Sequence, residues 1–143
     1  MTFQVSVFLE NRLGRLENVT RILREAQINI RSMHLNHTAN GWGILNLVVS
    51  NPALAQRRLN EEGLSAALRE ISVVRMADNP GGLDELLKRI VNANVNFTSA
   101  YGLGPHHNGE AYLVVDTQGL PEAREKFQEI GLALVEDTEV YGT

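Results

Sequence analysis

The chain has 143 residues, of which 43% are hydrophobic, and its 13 basic side chains stand against 17 acidic ones, giving a formal net charge of −4. This length allows one medium-sized domain or two small ones, and the charge offers no basic stripe to nucleic acid or to an anionic membrane surface. The absence of cysteine excludes a disulfide framework, a thiolate metal site and a cysteine nucleophile. The N-terminal segment alternates apolar with polar residues and meets a charge at Glu10, which is unlike a signal peptide, so we expect a cytoplasmic protein.

The predicted elements of the first half begin with a strand, because residues 3–9 (FQVSVFL) alternate with a period of two. A helix follows, with apolar residues three or four positions apart on one face. These apolar positions are Leu16, Val19, Leu23 and Ala26. Strand patterns return in INIRSMHL and WGILNLVVS, a second helix is predicted from about Pro52 to Glu62, and a last strand begins near Leu64.

The second half shows the same order of elements. Residues 71–76 predict a strand, VNFTSAYGL and EAYLVVD predict two more, and a helix runs from about Pro121 to Ile130 before a last strand near Leu132. The helix after the first of these strands has its apolar face at Leu83, Leu86, Leu87, Ile90 and Val91. The chain therefore has the order βαββαβ twice.

The two halves also repeat one another residue by residue. A shift of 67 positions aligns five identical pairs: Gly14 with Gly81, Leu16 with Leu83, Ala26 with Ala93, Asn29 with Asn96, and Ser32 with Ser99. The offset changes only near polar loops and prolines, where insertions are tolerated. The repeat is therefore interpreted as a structural duplication.

A βαββαβ order favours the ferredoxin-like fold, in which two helices cover one face of a four-stranded antiparallel sheet. We predict an α+β protein of two such domains, residues 1–70 and 71–143, side by side with their sheets joined into one of eight strands. A domain of about 70 residues is marginally stable alone, so the halves are expected to pack together. A homodimer of the whole chain is also expected.

One turn occurs twice, as ENRLGRL at residues 10–16 and as ADNPGGL at residues 77–83. Each lies between a predicted strand and the N-terminus of a predicted helix, where unpaired main-chain N–H groups and the helix dipole favour a carboxylate or a phosphate. Glycine allows a ligand to approach the main chain closely, although it also permits a tight turn for purely structural reasons. Asn29 and Asn96 follow the two turn glycines by fifteen residues.

These segments, with the strands and helices that follow them, resemble the opening half of the ACT domain, a small-molecule sensing module similar to the regulatory domain of phosphoglycerate dehydrogenase. The resemblance covers essentially the whole chain. It implies a stand-alone, non-catalytic protein that binds a free amino acid between its two ACT domains and regulates amino-acid metabolism through an enzyme or a regulator. No metal or other cofactor is implied.

The resemblance also implies two ligand pockets, each formed by a turn and by the strand segment of the other half. The first pocket comprises Asn11, Leu13, Gly14 and Arg15 with Asn96, Ser99 and Ala100. The second comprises Asp78, Asn79, Pro80, Gly81 and Gly82 with Asn29, Ser32 and Met33. Because the Asp78 carboxylate can pair with an ammonium group, the second pocket is expected to bind an amino acid more tightly.

The histidines and the tryptophan do not predict a metal site or a ligand site. His34 and His37 are three apart on a predicted strand, so they point to opposite faces and do not share a metal ion. His106 and His107 are expected to be solvated at a hairpin tip, GPHHNG, and Trp42 is expected to pack within a hairpin.

Two alternative functions remain open from the sequence. One is a regulatory subunit of an amino-acid biosynthetic enzyme such as acetolactate synthase, although its second half would not be expected to repeat NPGGL. The other is an enzyme of the acylphosphatase type, but the phosphate cradle of that activity is missing beside Arg12 and Arg15.

Overall fold

A computed structural model describes residues 1–103, 109–118 and 120–142. Within these ranges the chain forms six strands and five helices. In chain order they are β1 (Thr2–Glu10), α1 (Arg15–Glu25), β2 (Ile30–His37), β3 (Trp42–Val49), α2 (Pro52–Glu61), β4 (Ser65–Ala77), α3 (Gly82–Asn92), β5 (Ser99–Leu103), β6 (Glu110–Asp116), α4 (Ala123–Glu129) and α5 (Asp137–Tyr141). Most of the predicted hairpin tip GPHHNG, including His106 and His107, lies outside the described residues.

The chain divides into two compact units. The N-terminal unit comprises Phe3–Arg69 and the residues from Val140 onward, and the C-terminal unit comprises Met1–Thr2 and Glu70–Glu139. Strand β4 crosses the boundary, because its residues up to Arg69 belong to the first unit and those from Glu70 to the second. The prediction of two separate strands, one near Leu64 and one at residues 71–76, is therefore wrong.

In the N-terminal unit, β1 lies between β3 and β4, and β2 lies outside β3. The β1–β3 and β2–β3 pairs are antiparallel. Helices α1 and α2 cover one face of this sheet, because alternate residues of β1 and β3 point toward their apolar sides. The buried core comprises Val5, Val7, Leu9, Val19, Ile22, Leu23, Ile28, Leu45, Leu47, Val49, Ala55, Leu59 and Ala66.

In the C-terminal unit, β6 lies between β4 and β5, and both pairs are antiparallel. The core again joins one face of the sheet to two helices, α3 and α4. Its buried residues are Val74, Leu86, Ile90, Val95, Leu113, Val115, Ala123, Phe127 and Leu132. The predicted fold class, α+β with two ferredoxin-like βαββαβ units, is confirmed.

The repeat also appears in the main chain. Four pairs of equivalent residues have positive φ, which places the same sharp turns in both halves. The pairs are Gly14 and Gly81, Gln27 and Asn94, Gly41 and Gly109, and Gly63 and Gly131. The duplicated sequence therefore folds into duplicated turns.

The last predicted strand differs from the structure. Near Leu132 the chain makes only an isolated bridge, Val74 to Leu134, with hydrogen bonds of 2.8 Å from Arg75 N–H to Ala133 O and from Val135 N–H to Val73 O. The apolar run ends after four residues, and acidic residues then begin helix α5, where they suit the helix N-terminus. The described residues thus contain six strands rather than the predicted eight.

Two further predictions need correction. Strand β5 begins at Ser99, so the first residues of VNFTSAYGL lie outside it. On α3, Leu86 and Ile90 are buried but Leu83 and Val91 are 46% and 73% exposed, because the buried stripe is narrower than the apolar pattern. No helix in the described ranges has the length and apolar character needed to cross a membrane.

Candidate functional site

The two glycine turns have the same geometry. Arg15 N–H donates to Arg12 O at 3.2 Å and Gly82 N–H donates to Asn79 O at 3.0 Å. Gly14 (φ 84°, ψ −6°) and Gly81 (φ 88°, ψ −7°) hold the third position, with the dihedral angles of a type II turn. Only glycine adopts this conformation without strain, so each turn depends on its glycine.

Each turn leads directly into a helix whose N-terminus has no side-chain cap. Gly14 and Gly81 are the N-cap residues of α1 and α3, and neither helix has a side-chain cap hydrogen bond. Main-chain N–H groups in the first turn of each helix are therefore available to an acceptor. A cavity of about 300 Å³ surrounds the α1 N-terminus. Its lining residues are Arg12, Leu13, Gly14, Arg15, Glu17, Asn18 and Arg21.

The second turn differs from the first at the residue that follows its turn glycine. A Cβ atom at Gly82 would lie 2.1 Å from Ala77 O, so this glycine is required by the close approach of the chain's own carbonyl. Helix α3 also carries Asp84 and Glu85 in its first turn, whereas α1 carries Glu17 alone. Negative charge beside the N-terminus disfavours a bound carboxylate. These charges favour the first turn and the Asp78 carboxylate favours the second, so the choice between the two turns stays a prediction.

The predicted asparagines lie at the other end of each first helix. Asn29 precedes β2 and makes two hydrogen bonds with Ser50. Asn29 N–H donates to the Ser50 hydroxyl at 2.9 Å, and Ser50 N–H donates to Asn29 O at 2.9 Å. Asn96 stands at the equivalent place before β5 and is exposed. An 11-residue helix such as α1 is about 16 Å long. The structure therefore does not bring the turn and the asparagine of one repeat together.

The remaining predicted site residues lie on the edge strands. Ser32 and Met33 are on β2, opposite Val48 and Leu47 of β3. Ser99 and Ala100 are on β5, where Ser99 is opposite Asp116. A cavity of about 440 Å³ includes Asn29, but Ser32 and Met33 do not line it. Its lining residues are Thr20, Arg24, Gln27, Ile28, Asn29 and Ile30.

A pair of equivalent cavities lies where the first strand of each repeat ends. The cavity of the N-terminal unit is about 240 Å³ and that of the C-terminal unit about 230 Å³. The first is lined by Phe8, Leu9, Glu10, Arg15, Trp42, Gly63, Leu64 and Ser65. The second is lined by Arg75, Met76, Ala77, Gly82, Glu85, Leu86 and Arg89. Phe8, Leu9, Glu10 and Arg15 correspond in the repeat to Arg75, Met76, Ala77 and Gly82.

The N-terminal cavity combines an aromatic wall with an ion pair. The rings of Phe8 and Trp42 stack with centroids 4.8 Å apart and an interplanar angle of 18°. The Glu10 carboxylate lies 3.2 Å from the Arg12 guanidinium and 3.9 Å from that of Arg15. Trp42 was expected to pack within the β2–β3 hairpin, but its ring stacks on Phe8 of β1 and lines a cavity.

Charged groups replace the aromatic wall in the C-terminal unit. The Arg75 guanidinium pairs with Glu139 and lies 3.6 Å from Glu110. It also lies over the Tyr112 ring, 5.7 Å from its centroid. The Tyr112 hydroxyl donates to Glu139 Oε1 at 2.5 Å, and this bond, with some burial, raises the pKa of Tyr112 although Arg75 lowers it. The pKa of Arg75 is raised, chiefly by Tyr112.

Sequence reasoning missed Phe8, Glu10 and Trp42 as cavity residues. The period of two in β1 does place Phe8 and Glu10 on one face and Leu9 on the other. The cross-strand neighbour of Glu10 could not be predicted, because β1 and β3 are far apart in sequence and local patterns do not give the register that sets Trp42 opposite Glu10. In the C-terminal unit, Arg75 was missed as a cavity residue for the same reason.

The chain belongs to the family of ACT domain pairs, whose sequence model matches residues 1–142. No curated protein matches the chain.

Solved structures share the fold. Protein BT0572 from Bacteroides thetaiotaomicron is 25% identical, with a TM-score of 0.89, over 99% of this chain and 96% of that one. The regulatory subunit of aspartate kinase from Thermus thermophilus, in its ligand-free form, is 14% identical, with a TM-score of 0.62, over 90% and 92%. That from Thermus flavus is 12% identical, with a TM-score of 0.57, over 90% and 91%.

Proposed function

We propose that this protein is a non-catalytic sensor that binds a free amino acid and regulates amino-acid metabolism through a partner enzyme or regulator. One observation carries the proposal: the same glycine turn leads into a helix without a side-chain cap in both repeats. Membership of the ACT domain pairs supports an amino acid as the ligand.

The chemistry of the first turn suits an amino acid. A free amino acid presents a carboxylate and an ammonium group a few ångströms apart, and the site must offer donors beside acceptors. Main-chain N–H groups of α1 and the Arg15 guanidinium are donors, and the side chains of Asn11 and Glu10 offer acceptors. At the second turn Asp78 offers an acceptor, beside the N–H groups of α3.

The other predicted features remain part of the proposal. A ligand that touches both a turn and an asparagine needs a turn from one repeat and Asn29 or Asn96 from another, because helix length separates them within a repeat. The limits of the ACT domains, 1–70 and 71–143, the homodimer and the cytoplasmic location are likewise proposed. The partner enzyme or regulator is also proposed, as is the absence of catalytic activity.

A thermal-shift panel of the twenty amino acids tests the proposal. One or a few of them should raise the melting temperature, because ligand at 100 times its dissociation constant adds about 2.7 kcal/mol to the free energy of unfolding. The matching 2-hydroxy acid, which lacks the ammonium group, should give a smaller shift. If no amino acid raises the melting temperature, or if the protein hydrolyses acyl phosphates, the proposed function is wrong.

A further inference from the structure

The two cavities at the ends of β1 and of the second half of β4 differ at equivalent positions. Trp42 is opposite Glu10 in the β1–β3 pair, and Glu110 is opposite Ala77 in the β4–β6 pair. The stacked rings of Phe8 and Trp42 therefore occupy the places that Arg75 and Glu110 occupy in the other repeat. Only the N-terminal cavity has an aromatic wall.

The aromatic wall is partly open to solvent. Phe8 is 49% exposed and Trp42 is 37% exposed. They line a cavity of about 240 Å³, which is below the usual range of about 300–1,000 Å³ for larger ligands. A small molecule with a flat or bulky apolar group fits this wall, because aromatic faces favour offset stacking and apolar contact.

Charges of both signs lie at the same cavity. Glu10 and Arg15 both line it, and the distance between Glu10 Oε2 and the Arg15 guanidinium is 3.9 Å, at the outer limit of an ion pair. Glu10 is also held by Arg12 at 3.2 Å. A carboxylate beside a guanidinium matches the ammonium and the carboxylate of an amino acid, since each charge of the ligand then meets its opposite.

Building on the proposed function, we propose that the N-terminal cavity binds a free amino acid with an aromatic or large aliphatic side chain. The side chain lies against the rings of Phe8 and Trp42, the ammonium group faces Glu10, and the carboxylate faces Arg15. The C-terminal cavity does not fit this ligand, because Arg75, Glu85 and Arg89 line it with charges.

The fluorescence of the native protein gives a direct test, because Trp42 is the one tryptophan in the sequence. L-phenylalanine and L-leucine should change its emission in a saturable way, whereas L-serine and L-aspartate should not. Calorimetry with the same four amino acids gives the dissociation constants independently. If only the polar amino acids bind, the inference about the side chain is wrong, but the proposed function stands.

Variants locate the site. By calorimetry, Trp42→Ala and Phe8→Ala should each weaken L-phenylalanine binding by about tenfold or more, whereas Trp42→Phe should retain most of the affinity. Glu110→Ala, at the position equivalent to Trp42, is the matched control and should leave the affinity unchanged. If an alanine variant does not fold, Phe8→Leu and the fluorescence of the native protein serve instead.

The outcomes separate the two proposals. Binding of L-phenylalanine that is indifferent to changes at both Phe8 and Trp42 would place the ligand elsewhere and overturn this inference alone. A protein that binds none of the twenty amino acids would overturn the proposed function as well.

Discussion

Asp78 donates its main-chain N–H to the carbonyl oxygen of Gly109 at 2.8 Å, and Asn11 donates in the same way to Gly41 at 2.7 Å. Both acceptor glycines have positive φ, 70° at Gly109 and 84° at Gly41. Each turn is thus held against the loop of the neighbouring hairpin by its main chain. The side chains of Asn11 and Asp78 are exposed, so they can be replaced without loss of the bond.

Asn11→Ala and Asp78→Ala should therefore fold normally, with free energies of unfolding within about 0.5 kcal/mol of the native protein. Asn11→Ala should weaken amino-acid binding by about tenfold to a hundredfold, because it removes a polar contact to a charged ligand. Asp78→Ala should have the smaller effect, since Asp84 and Glu85 in the first turn of α3 disfavour the carboxylate of the ligand there. Calorimetry on both variants decides between the turns: a larger loss in Asp78→Ala would make the second turn the principal site.

Substitution by alanine should lower the free energy of unfolding by different amounts at the three turn glycines. At Gly14 and Gly81 a Cβ meets nothing within 4 Å, so Gly14→Ala and Gly81→Ala should cost only the strain of positive φ, about 1–2 kcal/mol. Gly82→Ala should cost about 3 kcal/mol or more, because its Cβ would lie 2.1 Å from Ala77 O. Urea denaturation measures all three. Equal stability of Gly82→Ala and Gly81→Ala would show that the main chain relaxes freely there.

Tyr101 should make the protein lose stability at high pH. Burial, aided by the Asp116 carboxylate, raises the pKa of its hydroxyl above the usual value. The unfolded chain ionises near pH 10 while the folded protein keeps the proton, so the unfolded state gains as the pH rises. The stability that the raised pKa of Tyr101 contributes to the folded state is therefore complete below pH 10 and is lost above it.

Tyr101→Phe should flatten this decline. The measurement is the free energy of unfolding of the native protein and of Tyr101→Phe from about pH 8 to 11, across the tyrosine pKa of about 10. If stability declines equally steeply with pH in Tyr101→Phe, other groups cause the decline.

The hydrogen bond from Tyr112 to Glu139 should be visible in a phenol titration. Because this bond raises the pKa of Tyr112, Glu139→Gln should lower that pKa toward its ordinary value. Absorbance of the phenolate follows the titration. The same substitution in a Tyr112→Phe background should leave the remaining tyrosine titrations unchanged, and any other result would show that Glu139 acts elsewhere.

The turns could be predicted from the sequence because a glycine repeated at one offset signals a repeated backbone conformation. The pairing of Phe8 with Trp42 could not, since it depends on strand register, which local patterns leave undetermined. The burial of Val91 was wrongly predicted for another reason. Its spacing fits an apolar helix face, but Leu86 and Ile90 join the buried core of the C-terminal unit while Val91 is 73% exposed. Helix α5 was missed because five residues are too few to show a period.

The different linings of the two equivalent cavities predict how many ligand molecules bind to each chain. A duplicated protein whose halves had stayed alike would take up two molecules of one ligand per chain. Here Arg75 and Glu110 stand where the other repeat has Phe8 and Trp42, so an amino acid suited to the first cavity should saturate at one molecule per chain. Duplication followed by divergence would then leave the chain with one site for this ligand rather than two.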